Sequence, residues 1–377
     1  MIIGVPKEVK DHEYRVSATP EGVEELVRAG HQVLVEAGAG EDSGISDNAY
    51  LAAGAHIIAA HADVFTRSEM ILKVKEPQAS EYDLLGSKQI LFTYLHLAAN
   101  ERLTRALIKN QVTSIGYETV QLADGSLPLL SPMSEIAGRL AVQSGANYLE
   151  RLNGGRGLLL GGVAGVLPAK VLIIGGGVVG MNSAQIALGM GAEVTVVDLN
   201  TERLRHLSQI LHGNLRTLAS NYRNIASAVA ESDLVIGCVL VPGARAPKLV
   251  PEEMIRTMEA GSVVVDVAID QGGCIETCHP TTHSQPTFIV DGVIHYCVTN
   301  MPAAVPRTST YALSNATLPY VLRLANLGVE KAVSLDPALA KGVNVLAGHI
   351  TYRGVADAFG MEYTPLEKAL TSVSSYD

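Results

Sequence analysis

AKVLIIGGGVVG, residues 169–180, decides the architecture. The apolar run VLII ends in Gly175-Gly176-Gly177-Val178-Val179-Gly180, a G-x-G-x-x-G, and opens into the alanine-bearing segment MNSAQIALGMG. A second apolar run, AEVTVVD (192–198), ends on Asp198, 18 residues beyond Gly180. Strand, glycine turn, helix, strand and terminal acid, in that order, make the fingerprint of a dinucleotide-binding βαβ unit. Gly175 allows the tight turn, Gly177 lets backbone approach a pyrophosphate, and Gly180 lets the helix lie close on the sheet. The helix N-terminus turns its unpaired N–H groups and its dipole toward the phosphates. Asp198 would accept hydrogen bonds from the adenosine ribose and repel a 2′-phosphate, which favours NAD over NADP. Arg203 and Arg205 stand close enough to blur that preference, unless both are solvated helix residues.

Working outward, the same alternation recurs on both sides. SDLVIGCVLVPG (232–243), GSVVVDVAID (261–270) and VIHYCVTNMP (293–302) read as further strands of the series. Toward the N-terminus, IIGV (2–5), HQVLVE (31–36), MILKVKEP (70–77), ILFTYLHL (90–97) and VTSIGYETV (112–120) read as strands. PEGVEELVRAG (20–30) and NERLTRALIKN (100–110) read as helices between them. SPMSEIAGRLAVQSGANYLERLN (131–153) has the length of a long helix, with Ser131 as N-cap and Pro132 at the first helical position. TSTYALSNATLPYVLRLAN, after Pro306, predicts another helix. The fold class is therefore α/β, with doubly wound parallel sheets. At 377 residues the chain exceeds one typical core, so two domains are expected.

Composition excludes several function classes. A formal charge of −10, with no lysine- or arginine-rich block, argues against a nucleic-acid partner. Four cysteines make no disulfide framework, which predicts a reducing, cytoplasmic setting. The N-terminus MIIGVPKEVKD carries Lys7 and Glu8 and lacks the pattern of a signal peptide. The most apolar region, 157–197, is broken by Pro168, Lys170 and glycines, so it reads as buried strands and a helix, not a membrane span.

In such folds ligands lie at the carboxyl ends of the strands. Val239-Leu240, Val267-Ala268-Ile269-Asp270 and Val298-Thr299-Asn300-Met301 occupy those ends, where they either meet a ligand or simply pack as loops. LFTYLHLAAN (91–100) carries His96 near the end of an apolar run. It reads either as a hydrogen-bonded core histidine or as a proton-transfer group at a strand end. Arg15, in HEYRVSATP, and Lys75, in LKVKEP, likewise read as surface charges or as site residues. CIETCHPTTH (274–283) holds Cys274, Cys278, His279 and His283 within ten residues. A structural zinc site needs a distant second pair of ligands, so no metal is expected here.

GVPKE…RVSATPEGVEELVRAGH and GLLLGGVAGVLPAKVLIIGGGVVG together resemble the alanine dehydrogenase and pyridine-nucleotide transhydrogenase superfamily. DVAIDQGGCIET, PTTH, YCVTNMPAAVPRTSTYALSNAT and DPALAKG look specifically like its bacterial alanine dehydrogenase branch. The resemblance is collinear over nearly the whole chain. It implies two Rossmann-like domains with a cleft between them: a discontinuous substrate domain, 1–130 plus 306–377, and an inserted NAD domain, 131–305. It further implies reversible oxidative deamination of L-alanine to pyruvate and ammonium, in a homohexamer. Carried residue by residue, the carboxylate-binding arginine falls on Arg15, the substrate lysine on Lys75, and the catalytic pair on His96 and Asp270. NAD contacts fall on Ser134, Gly175, Gly177, Val178, Val179, Gly180, Asp198, Arg203, Ser220, Val239, Leu240, Val267, Ala268, Ile269, Asp270, Val298, Thr299, Asn300 and Met301. Two departures stand out: Asp11-His12 where the family usually has asparagines, and His279 where it usually has arginine. The alternative reading is the NAD-binding subunit of a proton-translocating transhydrogenase, which would leave His96, Lys75 and Arg15 without a joint purpose.

Overall fold

Alternate residues of the strand that opens the glycine turn belong to two different hydrophobic cores. The computed structural model describes residues 1–239 and 246–374, so Leu240, one of the expected cofactor contacts, lies outside the described residues. Val171 and Ile173 join one core and Leu172 and Ile174 the other. Leu234 and Ile236 against Val235, and Val263 and Val265 against Val264, repeat the division. A strand buried on both faces needs no polar residue at period two, which is why these runs read as continuously apolar.

The chain divides into two compact units, Met1–Met133 with Ala303–Asp377, and Ser134–Pro302. The first unit starts with strands β1 (Ile2–Val5), β2 (Gln32–Glu36), β3 (His56–Ile58), β4 (Met70–Leu72), β5 (Ile90–Thr93) and β6 (Thr113–Gly116). The second unit holds β7 (Lys170–Ile174), β8 (Glu193–Asp198), β9 (Leu215–Ala219), β10 (Leu234–Gly237), β11 (Val263–Asp266), β12 (Thr287–Val290) and β13 (Val293–Tyr296). β14 (Val343–Leu346) and β15 (His349–Ile350) complete the first unit's sheet.

The first sheet runs β15-β14-β6-β5-β4-β1-β2-β3 and the second β12-β13-β11-β10-β7-β8-β9. In each, six strands are parallel and the order reverses beside the first strand, between β1 and β4 and between β7 and β10. Such reversal points open crevices at the strand carboxyl ends. The doubly wound parallel sheets expected from the sequence are present, with antiparallel pairings confined to their edges. β14 runs antiparallel to β6, β15 to β14, and β12 to β13.

Most strands are shorter than their apolar runs. β4 stops at Leu72 and β5 at Thr93, although Val74, Tyr94 and Leu95 are also buried. These residues pack into the core from the loops; Tyr94 N still donates to Val74 O at 3.3 Å just past the strand ends, while Leu95 N turns to Glu118. Local elements otherwise follow their signals: helix Pro20–Arg28 starts on Thr19, whose Oγ1 accepts from Gly22 N, with Pro20 next. Ser131 departs from its expected role. It is the first residue of helix Ser131–Tyr148, and its hydroxyl donates back to Leu127 O instead of capping forward.

Candidate functional site

In the first unit, three residues far apart in sequence ride on loops after three adjacent strands. Arg15 follows β1, Lys75 follows β4 and His96 follows β5, and these strands stand in the order β5-β4-β1. The reversal point of the sheet lies among them. Arg15 is almost fully buried. Its Nε donates to Glu13 Oε1 at 2.6 Å and its Nη2 to Glu13 Oε2 at 2.5 Å, while Nη1 lies 3.1 Å from Met133 Sδ. Glu13 therefore takes the Nε–Nη2 edge of the fork and fixes the plane of the guanidinium.

Lys75 is half-buried, and its backbone is held from both sides. Its N–H approaches Glu8 Oε1 at 3.4 Å and its carbonyl accepts from Thr93 Oγ1 at 3.0 Å. His96 is not a core histidine. Its side chain is 48% exposed and its backbone sits at φ 48°, in the left-handed region that costs an ordinary side chain about 1 kcal/mol or more. Glu118 holds that conformation by accepting from His96 N at 2.7 Å and from Leu95 N at 3.1 Å.

A buried charge chain behind these loops was not legible in the sequence. Lys73 is fully buried, with Nζ 3.1 Å from Glu8 Oε2 and 2.8 Å from Glu81 Oε1. Glu81 Oε1 is also 3.4 Å from His61 Nε2, and His61 Nδ1 is 2.7 Å from Glu36 Oε2. The hydrogen bond to Glu36 and then the nearby Glu81 carboxylate lift the His61 pKa to about 9 from an ordinary 6.5. The folded chain thus holds a proton that the unfolded chain releases between those values. This stabilisation is complete below pH 6.5 and is lost as pH rises through 9. Thermal unfolding from pH 6 to pH 10 should show a falling midpoint, and His61→Gln should flatten that decline. An unchanged slope in the variant would contradict the assignment.

In the second unit, the glycine turn fits a pyrophosphate. Gly175 has φ 101°, and a Cβ there would lie 3.0 Å from Cys238 O. A Cβ on Gly180 would lie 1.8 Å from Gly175 O, so only glycine lets helix Val178–Gly189 start this close to β7. A Cβ on Gly177 would meet nothing within 4 Å, which leaves an open approach to the uncapped helix N-terminus. Asp198, at the end of β8, accepts from Gly176 N and Asn200 N at 2.7 Å each and from Arg203 Nη1 at 3.1 Å. Three donors use three of the roughly four acceptor directions of its carboxylate, so Asp198 braces the turn and keeps room for a hydroxyl. Arg203 is thereby ion-paired to Asp198, and Arg205 pairs with Glu202 at the surface.

The remaining expected contacts gather at the same carboxyl edge. Ser220 follows β9 and donates its N–H to Asp198 O. Val239 follows β10. Ser134 lies one helical turn before Gly138, whose Cβ position would sit 2.3 Å from Val179 O, so both share the helix face turned to the glycine turn. Val178 is exposed and Val179 packs on the core. After β11, Asp266 caps the short helix Val267–Gln271 by accepting from Ala268 N at 3.1 Å, and it accepts from Ile275 N at 3.1 Å. Its carboxyl is raised to about 6 by burial. That helix presents Asp270 in the open, with Oδ2 3.5 Å from Asn300 N, and Asn300 has φ 58°. Ile269, Val298 and Met301 are buried in the cores, so only their backbones can face a ligand, whereas Val267, Ala268 and Thr299 are half-buried. Of the cysteines and histidines of 274–283, His283 places Nε2 3.3 Å from Asn300 O and the other three go to packing. Cys274 and Cys278 lie in a core, and His279 stacks on Phe288 with ring centroids 3.7 Å apart.

Two Rossmann-type units, one of them with a dinucleotide turn, define a nucleotide-binding α/β protein. Family profiles described as Alanine dehydrogenase/PNT, N-terminal domain and C-terminal domain, match residues 4–137 and 141–353. The chain belongs to the alanine dehydrogenase/PNT family. It is 60% identical to an alanine dehydrogenase of Methanococcus maripaludis over 98% of this chain and 100% of that protein. It is 57% identical to an alanine dehydrogenase of Halomonas elongata, over 96% and 98%. Among solved structures it superposes on an L-alanine dehydrogenase with TM-score 0.93 and 55% identity, covering 96% of this chain and 99% of that one. A transhydrogenase of Sinorhizobium meliloti matches with TM-score 0.81 and 26% identity, over 93% and 100%.

Proposed function

We infer that this chain oxidises L-alanine reversibly to pyruvate and ammonium, with NAD as its redox partner. The identity of 56–60% to alanine dehydrogenases over essentially the full chain carries the reading. The same figures favour it over the transhydrogenase reading, whose likeness falls to 26%. In this account Met1–Met133 with Ala303–Asp377 handles the amino acid, and Ser134–Pro302 holds the dinucleotide. Gly175, Gly177 and Gly180 would admit the pyrophosphate, and Asp198 would take the adenosine ribose. Ser134, Val178, Val179, Arg203, Ser220, Val239 and the backbones of 267–270 and 298–301 would line the rest. The bound nicotinamide supplies the hydride acceptor.

The chain's own residues do the remaining work. Arg15, its plane fixed by Glu13, would anchor the alanine carboxylate and so set the direction of the Cα–H bond. Lys75 would stabilise negative charge developing on the substrate oxygen. Loss of the Cα hydride from the neutral amine leaves protonated iminopyruvate; water adds to it with loss of a proton, giving a carbinolamine. Once its nitrogen is protonated, ammonia departs as the hydroxyl proton leaves to form the pyruvate carbonyl, that proton turning ammonia into ammonium. His96 would take the proton from that water and return one to the departing nitrogen. Asp270, on its capped helix, would orient the water or the amine.

We extend the reading to a cytoplasmic homohexamer. The cysteines described are all unpaired and buried, and among the described residues no helix is long and apolar enough to cross a membrane. Leu152, Leu159, Val163, Val166 and Leu167 are exposed within one short stretch, an apolar surface of the kind subunits cover. A monomeric mass by light scattering would contradict the oligomer. For the reaction, purified protein should reduce NAD with L-alanine about 10-fold faster or more than NADP, since a pocket acid rejects the 2′-phosphate by charge. Equal use of the two nucleotides would remove Asp198 from the ribose role. Reduction with lysine in place of alanine would point to a different amino-acid substrate.

A further inference from the structure

Behind His96 stands a carboxylate that the reaction as written does not use. Glu76 follows Lys75 on the loop after β4, and only 13% of its side chain is exposed. Lys10 Nζ donates to its Oε1 at 2.5 Å. Its other oxygen, Oε2, is buried and accepts no hydrogen bond among the described residues. That oxygen lies 3.7 Å from His96 Nδ1. A buried carboxylate oxygen gains from a donor, and the ring of His96 is the donor-bearing group that faces it. The imidazole is half-exposed and has room to close a gap of that size. Hydrogen bonds of catalytic groups are often long before substrate binds and tighten afterwards.

Resting on the assignment of His96 as the proton carrier, we propose that Glu76 is a positioning residue that fixes the tautomer and aim of the His96 ring, with Lys10 as its anchor. Nδ1–H donates to Glu76 Oε2, so the lone pair is on Nε2, the nitrogen turned from Glu76. Nε2 then takes the proton from the attacking water and becomes N–H. Glu76 stays ionised and faces the positive ring, and the same proton leaves Nε2 for the departing ammonia. Burial works against a charged Glu76, but His96, Lys10 and Lys75 together outweigh it and hold the carboxyl below the ordinary range. The division of labour is clear in the contacts. Glu118 holds the His96 backbone through two N–H groups, and Glu76 alone of the two faces the ring.

A double-mutant cycle in the full-length protein tests this. Glu76→Ala should lower kcat for L-alanine oxidation by about 10²-fold while KM for L-alanine and Kd for NAD stay within about threefold, as for other orienting carboxylates. In a His96→Ala background, the same change should have almost no further effect, because its only route to the chemistry is gone. Formate should restore turnover to Glu76→Ala by supplying a carboxylate beside Lys10. Glu76→Gln, which keeps an acceptor oxygen and the side-chain shape, should retain more activity than Glu76→Ala and serves if the alanine variant fails to fold. Full turnover in Glu76→Gln and Glu76→Ala, or an equal loss in the presence and absence of His96, would overturn the proposal. If His96→Ala itself keeps normal turnover, the role of His96 falls first and independently of Glu76.

Discussion

Replacing His96 with alanine lowers kcat for L-alanine oxidation by about 10³-fold, within the range that a positioned acid–base group contributes. Kd for NAD stays within about threefold, since His96 belongs to the first unit and the glycine turn to the second. Steady-state NADH formation and calorimetric titration with NAD read the two quantities separately. The backbone at φ 48° adds a requirement on the choice of variant. Asparagine tolerates the left-handed region better than most residues, so His96→Asn keeps the Glu118 contacts with least strain. Both variants should be slow. Turnover near that of the parent in His96→Asn would return His96 to a structural role.

Arg15→Met is the second large effect, and it acts on two properties at once. The guanidinium and Glu13 form a buried, bidentate pair with both side chains essentially inaccessible. Removing one partner of such a pair leaves a buried charge and costs about 3–5 kcal/mol. The variant should therefore unfold at clearly lower urea concentration and show little turnover at any alanine concentration. Adding Glu13→Gln neutralises the exposed cost and should recover most of the stability, while turnover stays lost because no fork remains for the substrate carboxylate. Stability and activity returning together in the double variant would mean that Arg15 only supports the fold.

The dinucleotide half of this picture was legible because its chemistry is contiguous. Gly175, Gly177 and Gly180 act through backbone geometry within six residues, and Asp198 follows at a fixed distance through one helix and one strand. The strand ends were less legible. Tyr94 and Leu95 are buried beyond the end of β5, so hydrophobicity alone carried the strand past Thr93 and made His96 look like part of it. The first unit's site depends on the strand order β5-β4-β1, which brings the loop of Arg15 beside those of Lys75 and His96, sixty or more residues further along the chain. Nothing local in LKVKEP distinguishes Lys73, enclosed by Glu8 and Glu81, from Lys75, or marks Glu76 as the neighbour of His96. Resemblance supplied Arg15, Lys75 and His96, and the structure supplied the carboxylates that hold them.

The central claim is that the hydrogen on Cα of L-alanine passes to the nicotinamide. With L-alanine deuterated at Cα, NAD reduction should yield deuterated NADH, with one pyruvate and one ammonium released for each NADH formed. NADH without deuterium, or nucleotide reduction that releases no ammonium, would contradict the account.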